Sequence, residues 1–282
     1  MLLPMIQLMR PYQWIKNAFV LAPLLFSGAF LDESSVWATC IAFILFCLAS
    51  SATYIFNDLH DIEEDKQHPV KSITRPLASG SINKNQAYLL LAFLIFLLIS
   101  IGLIYLPKVL TIIAAYLVLM VLYTITLKHQ PIFDIFSISI GFVLRVYAGA
   151  IAISVPVSGW MFITTLSLAL YLASIKRRQE LKFSSADSRK VLKYYTESLV
   201  QRYAEMSATG ALVFYSLFVV SERSEMIITI PVVLFGLFRY WYLVEAEDKG
   251  ESTTDVLFTD WQLIATLLIW VGLVLFSLWP TT

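Results

Sequence analysis

Residues 36–65 read VWATCIAFILFCLASSATYIFNDLHDIEED. From Val36 to Phe56 there is no charged side chain, and a bilayer core takes about 20 residues of helix. Directly behind that apolar run stand Asn57, Asp58, Asp61, Glu63, Glu64 and Asp65, with no Gly or Pro before Pro69. The run is therefore expected to continue as helix into the acids. Asn57, Asp61 and Asp65 are spaced by four and would stack on one face. Like charges at that spacing repel, so something cationic has to compensate them. Oxygen ligands without cysteine suit a hard ion, and Mg²⁺ is typically held by one or two carboxylates plus substrate phosphates. Asn57, Asp58, Asp61 and Asp65 are the candidate metal residues, with Asp58, Asp61 and Asp65 as catalytic carboxylates. A solvated acidic loop is the alternative.

Composition agrees with a membrane setting. Of 282 residues, 59% are apolar and 14% are charged, against roughly 25% charged in a globular domain, and the mean hydropathy is +0.75. Twenty Lys and Arg balance twenty Asp and Glu. A soluble enzyme, a disordered chain and a nucleic-acid binder are all set aside. The expected fold is all-α, a polytopic membrane protein with residues 1–282 as a single transmembrane catalytic domain. Nine apolar runs are candidate spans: 17–31, 36–56, 86–106, 109–127, 132–153, 159–175, 204–221, 226–244 and 258–279. No cleavable signal is expected, because Arg10-Pro11-Tyr12 precedes the first run and no small-residue cleavage pattern follows. Cys40 and Cys47 lie about 10 Å apart on a helix, too far to bridge, and read as buried packing residues.

Nine alternating spans starting from a cytoplasmic N-terminus put seventeen cations inside, Arg189 and Lys249 among them. Only Lys108 and Arg223 fall outside, and Arg145 lies within a span. This is the positive-inside pattern, and it places Trp279 to Thr282 on the outer face. The polar chemistry is concentrated in two cytoplasmic connections, 57–84 and 176–203.

In the first connection, Lys71 and Arg75 follow the acids in a loop punctuated by Pro69, Pro76 and Gly80. Arginine makes bidentate phosphate contacts and lysine acts as a point charge. Acids for a metal followed by cations for phosphate oxygens make a metal–diphosphate pairing. Topology alone explains Lys84. Asp134 and Arg145 are eleven residues apart in the fifth run, about 16 Å along a helix and on the same side. Ionisable groups at membrane depth find a partner or line a cavity, and a common polar cavity is expected for this pair. Lys176 and Arg177 end the sixth run and serve either as a topological anchor or in binding. His60, His68 and His129 lack zinc-ligand spacing.

The N-D-x-x-D-x-x-x-D string from Asn57, Arg10-Pro11-x-Gln13-Trp14-x-Lys16-Asn17, Leu127 to Gln130, and Lys176-Arg177 together resemble the UbiA superfamily of intramembrane prenyltransferases. Within it the resemblance is to the decaprenyl-phosphate phosphoribosyltransferase branch, over nearly the whole chain. It implies nine helices around a central cavity open to the cytoplasm and to lipid. It also implies transfer of phosphoribosyl from phosphoribosyl pyrophosphate to a polyprenyl phosphate, with Mg²⁺. Lys71 and Arg75, with Lys16 and Lys128, would then hold phosphates, and Asp134, Arg145, Lys176 and Arg177 would line the substrate site. One departure stands out: the superfamily's second D-x-x-x-D motif is here Asp134 followed by Ile138. An aromatic prenyltransferase of the same fold, and a transporter, are the rival readings.

Overall fold

The structure is a computed structural model, and it describes residues 2–183, 190–246 and 259–279. Arg189, Lys249 and Pro280 to Thr282 lie outside the described residues. The described chain forms twelve α-helices in sequence: α1 (Leu2–Met9), α2 (Ala22–Ser27), α3 (Glu33–His60), α4 (Ile62–Gln67), α5 (Lys71–Thr74), α6 (Lys84–Tyr105), α7 (Pro107–Ile125), α8 (Phe133–Ala152), α9 (Gly159–Phe183), α10 (Glu197–Glu222), α11 (Ile230–Ala246) and α12 (Trp261–Ser277). Tighter 3₁₀ stretches join them, the longest over Pro11–Leu21. The all-helical class is as expected.

The count of nine spans is not matched. Among the described residues, seven helical segments are long and apolar enough to cross a membrane. The last expected run is a helix of 17 residues, just short of that length. The first, 17–31, is split among a 3₁₀ stretch, α2 and a second 3₁₀ turn. Its break falls at Gly28, whose φ of 79° interrupts α-helical geometry.

Capping explains where the long helices begin. The Asp32 carboxylate accepts the Ser35 N–H at 2.8 Å and starts α3. Asn83 and Gln86 form a reciprocal capping box at α6. Thr196 and Asp260 cap α10 and α12 by accepting the N–H groups of Leu199 and Leu263. Pro107 stands in the first turn of α7, where its missing N–H costs nothing.

The chain divides into two compact units. Unit 1 comprises Met1–Leu24, Asp32–Lys128 and Leu144–Val155. Its main core packs Leu45, Phe46 and Ala49 of α3 against Leu98 of α6, Val109, Ile113 and Tyr116 of α7, and Ala148 of α8. A second core, with Leu8, Ile55, Ile62, Leu77 and Ile82, underlies the loop after α3 and fixes that loop to the helix ends. Cys47 is buried as expected, whereas Cys40 is exposed.

Unit 2 comprises Leu25–Leu31, His129–Val143 and Pro156–Thr282. Tyr171 and Ile175 of α9 pack there with Ala204 and Ala208 of α10 and with Tyr240, Leu243 and Leu263. A further cluster joins Tyr215, Phe218, Met226 and Val274. Both units therefore hold polar residues at helix ends that their apolar cores position.

Candidate active site

Helix α3 does not run unbroken through the acids. It ends at His60, Asp61 takes a capping conformation (φ −97°, ψ 12°), and α4 begins at Ile62. The backbone bonds from Asp61 N–H to Asn57 O and from Asp65 N–H to Asp61 O carry the helical course across the bend. The side chains nevertheless divide into two groups, which corrects the single stack expected from the spacing of four. Asp58 and Asp65 share one partner, while Asp61 takes another.

The shared partner is Arg75. Its Nη1 donates to Asp58 Oδ1 at 2.9 Å and to Asp65 Oδ2 at 2.5 Å. Both carboxylates are almost fully buried, so the bridge operates at low dielectric, where it counts for more than a surface pair. Lys71 Nζ lies 3.6 Å from Asp65 Oδ1. Arg75 holds the extended backbone expected before Pro76, at φ −95° and ψ 124°. The turn beneath it is pinned by His68, whose Nδ1 accepts the N–H groups of Val70 and Lys71. Burial and then the Lys71 charge lower the His68 pKa, which keeps that nitrogen free to accept.

Asp61 is clasped by Lys128, whose Nζ reaches its two carboxylate oxygens at 2.5 and 2.7 Å. The His60 ring Nδ1 stands 2.7 Å from the same carboxylate. Burial works to raise the Asp61 pKa, but the bonds from His60 and Lys128 outweigh it and leave it lowered. Asn57 Oδ1 accepts from Thr124 Oγ1 at 3.4 Å. Glu63 and Glu64 point outward and are exposed.

Arg10 is the residue that spacing alone did not assign. Its Nη2 donates to Asp58 Oδ1 at 2.5 Å. Charge pairing from 48 residues away carries no local periodicity, so only the Arg10-Pro11 motif pointed to it. The rest of that motif anchors the segment. Trp14 Nε1 donates to Ser51 Oγ, and that hydroxyl donates to Met9 O. Asn17 donates to Ser50 and accepts from Arg145 Nε at 2.8 Å. Lys16 sits half-buried in the same stretch.

Asp134 and Arg145 each have partners within their own unit. Arg145, in unit 1, bonds Asn17 and Tyr116 and lies over the rings of Tyr116 and Phe46. Asp134, in unit 2, accepts from Tyr195 Oη at 2.6 Å, and its other oxygen lies 3.5 Å from Arg177 Nε. Tyr195 Oη also accepts the N–H of Ile132, which holds a left-handed φ of 70°. Burial, then the bond to Asp134, raises the Tyr195 pKa, so the phenol stays a donor. Arg177 also pairs with Glu180. Lys176 is half-buried beside it in sequence.

Residues 19–259 match the UbiA prenyltransferase family. The chain belongs to that family. Over 95% of its length it is 34% identical to the decaprenyl-phosphate phosphoribosyltransferase of Corynebacterium glutamicum, of which it covers 84%. It is 32% identical to the enzyme of the same name from Mycolicibacterium smegmatis, over 95% of this chain and 90% of that one. Its fold is that of a UbiA homolog from Archaeoglobus fulgidus bound to GPP and Mg²⁺, with a TM-score of 0.76 and 17% identity over 98% of this chain and 99% of that one. As a UbiA-family protein it is a multi-pass integral membrane transferase.

The UbiA fold brings a divalent ion into question, and the residues fit one. Asp58 Oδ2 is buried without a hydrogen-bond partner, although the other oxygen of the same carboxylate carries two arginines. Among the described residues, no three His, Cys, Asp or Glu side chains converge as a ready-made cage. One or two carboxylates completed by substrate oxygens is the mode in which Mg²⁺ is usually bound.

Proposed function

We propose that this chain transfers the 5-phosphoribosyl group of phosphoribosyl pyrophosphate to a polyprenyl phosphate and releases diphosphate. The observation that carries the proposal is the convergence of Arg10, Lys71, Arg75 and Lys128 on Asp58, Asp61 and Asp65 at the end of α3. Identity to two enzymes of that name over nearly the full chain supports it. The proposal takes residues 1–282 as one catalytic domain in the cytoplasmic membrane. The seventeen-to-two division of cations supports a cytoplasmic N-terminus and an outer C-terminus.

The reaction forms a bond between an acceptor phosphate oxygen and ribose C1 and breaks the bond from C1 to diphosphate. The diphosphate leaves with the electron pair, through an oxocarbenium-like state at C1, as in other glycosyl transfers. A phosphate acceptor is already ionised near neutral pH, so no side chain has to remove a proton. Asp58 and Asp65, with Asn57 and Asp61, would hold Mg²⁺. When bound, Mg²⁺ supplies charge neutralisation at the departing diphosphate. Arg75 and Lys71 stand ready to exchange carboxylate oxygens for phosphate oxygens, and Lys128 and Lys16 supply further positive charge. Arg145 orders Asn17. Arg177 and Tyr195 hold Asp134 and so order the turn before α8, with Lys176 adding charge there.

Purified protein in detergent, given labelled phosphoribosyl pyrophosphate, Mg²⁺ and polyprenyl phosphate, should yield a labelled lipid. EDTA should abolish the product and Mg²⁺ restore it, and Asp58→Ala, Asp61→Ala and Asp65→Ala should each remove most turnover. Prenyl transfer from a prenyl diphosphate to a phenolic acceptor, with the phosphoribosyl donor left untouched, would replace this proposal with its aromatic rival.

A further inference from the structure

Arg10 is held more tightly than charge balance at Asp58 requires. It adopts a left-handed backbone, φ 53° and ψ 59°, with no glycine to relieve the strain. The conformation is enforced from both sides. Ser51 fixes the Met9 carbonyl and the Trp14 indole, and Gln13 N–H bonds the Arg10 carbonyl at 2.9 Å. The guanidinium carbon lies 5.0 Å from the centre of the Tyr54 ring. Tyr54 precedes Asp58 by one helical turn, about 6 Å along α3 toward the apolar run. Arg10 therefore meets Asp58 from the membrane side, whereas Arg75, from the loop, meets it from the other. Around Arg10 the chain displays large apolar side chains, with Leu3, Ile6, Tyr12 and Ile15 all exposed.

We infer that Arg10 binds the phosphate of the lipid acceptor, and that the apolar surface of α1 and the following 3₁₀ stretch receives the first isoprene units. The inference rests on the phosphoribosyl transfer proposed above and divides its site into two. Arg75 and Lys71 serve the donor diphosphate, and Arg10 serves the attacking phosphate. Substitution at ribose C1 needs both phosphates close to one carbon, yet two polyanions repel. Two guanidinium groups that share the single oxygen Asp58 Oδ1, at 2.5 and 2.9 Å, hold two such sites side by side. A tail anchored on exposed apolar residues next to a cation matches an amphiphile bearing one anionic head. A free sugar phosphate would gain nothing from Leu3 or Ile6.

Direct binding separates this inference from the reaction itself. Full-length protein in phosphatidylcholine nanodiscs is titrated with farnesyl phosphate, with farnesol, and with phosphoribosyl pyrophosphate plus Mg²⁺. The wild type should prefer farnesyl phosphate to farnesol. Arg10→Gln should weaken farnesyl phosphate by about 10- to 100-fold, the loss of one charge-assisted contact, and leave the donor within about threefold. Arg10→Lys should recover part of that loss and, as the milder change, keeps the test open if Arg10→Gln does not fold. Unchanged farnesyl phosphate binding in both variants, an equal or larger loss of donor binding, or displacement of farnesyl phosphate by phosphatidylglycerol would each overturn the assignment. If the wild type binds both ligands but forms no labelled lipid, the reaction proposed above fails while the binding result still stands.

Discussion

Replacing Arg75 by alanine removes a side chain that bridges Asp58 and Asp65, at 2.9 and 2.5 Å. The two carboxylates are not left bare. Arg10 keeps Asp58 at 2.5 Å, and Lys71 remains 3.6 Å from Asp65. Breaking a buried pair outright costs about 3–5 kcal/mol, so these remaining cations should hold the folding cost well below that range. For the donor, Lys71 remains as a point charge, but the guanidinium fork is lost. A lost hydrogen bond to a charged group costs about 1.5–3 kcal/mol, and 1.4 kcal/mol is tenfold in affinity. Arg75→Ala should therefore raise the Kd and the KM for phosphoribosyl pyrophosphate by about 10- to 100-fold. Arg75→Lys should lie between, since an ammonium supplies charge without the fork.

Lys84 is the internal comparison. It belongs to the same connection but stands exposed in the first turn of α6, behind the Asn83–Gln86 capping box. Lys84→Ala should leave donor KM within about twofold, the range expected for an exposed charge worth about 0–1 kcal/mol at most. Donor titrations and steady-state kinetics on wild type, Arg75→Ala, Arg75→Lys and Lys84→Ala decide the matter. Equal effects of the two alanine variants would refute the distinction. A melting temperature that collapses in Arg75→Ala alone would assign the bridge to folding instead.

Three further outcomes follow from local geometry. A Cβ on Gly149 would stand 2.0 Å from the Val20 carbonyl oxygen, a backbone atom that cannot swing aside. Gly149→Ala should therefore sharply lower the yield and melting temperature of folded protein, and wild-type stability would refute the close approach. Tyr195→Phe removes both the donor to Asp134 and the acceptor of the Ile132 N–H. It should cost about 1–3 kcal/mol for the groups left unsatisfied, read as a lower melting temperature that Tyr195→His does not restore. Asp32 has a pKa lowered to about 2 by the Ser34 and Ser35 bonds at the start of α3. A lowered folded-state pKa gives stability that is complete above the ordinary carboxyl value and is lost as pH falls toward the folded one. The stability gap between wild type and Asp32→Ala should thus be constant from neutral pH to about pH 5 and shrink below about pH 4.

Periodicity made the scaffold legible, because a bilayer imposes run length and hydropathy directly on the sequence. Eight of the nine expected runs contain a long or nearly long helix, and the failure at 17–31 sits where a left-handed Gly28 interrupts the course. The same logic misjudged the acids. A spacing of four predicted one stack, but a small departure at Asp61 was enough to send its side chain to Lys128 while Asp58 and Asp65 turned to Arg75. Partners such as Arg10, Lys128 and Tyr195 lie tens of residues away in sequence, and pairing over that range leaves no periodic trace. Motif knowledge supplied Arg10 without a role and Lys128 as a phosphate ligand, not as the partner of Asp61. Nothing in the sequence pointed to Tyr195.

Asp134 bears on how many ions the chain holds. Its carboxylate is wholly buried, with one oxygen bonded to Tyr195 and the other set against Arg177, which is 1% exposed. Seating a second divalent ion on Asp134 would displace Arg177 and leave a buried guanidinium with Glu180 as its remaining acid partner among the described residues. Loss of a buried ion-pair partner costs about 3–5 kcal/mol, and no second carboxylate follows at Ile138 to repay it. Asp58 Oδ2, in unit 1, and Asp134 Oδ2 both lack a hydrogen-bond partner, but the two guanidinium groups at Asp58 bond its other oxygen, so an ion on Asp58 Oδ2 leaves those bonds in place. One Mg²⁺ per donor-bound chain is the expected stoichiometry by equilibrium dialysis, unchanged in Asp134→Asn and lost in Asp58→Asn. Two ions in the wild type, falling to one in Asp134→Asn, would show that Arg177 gives way to metal after all.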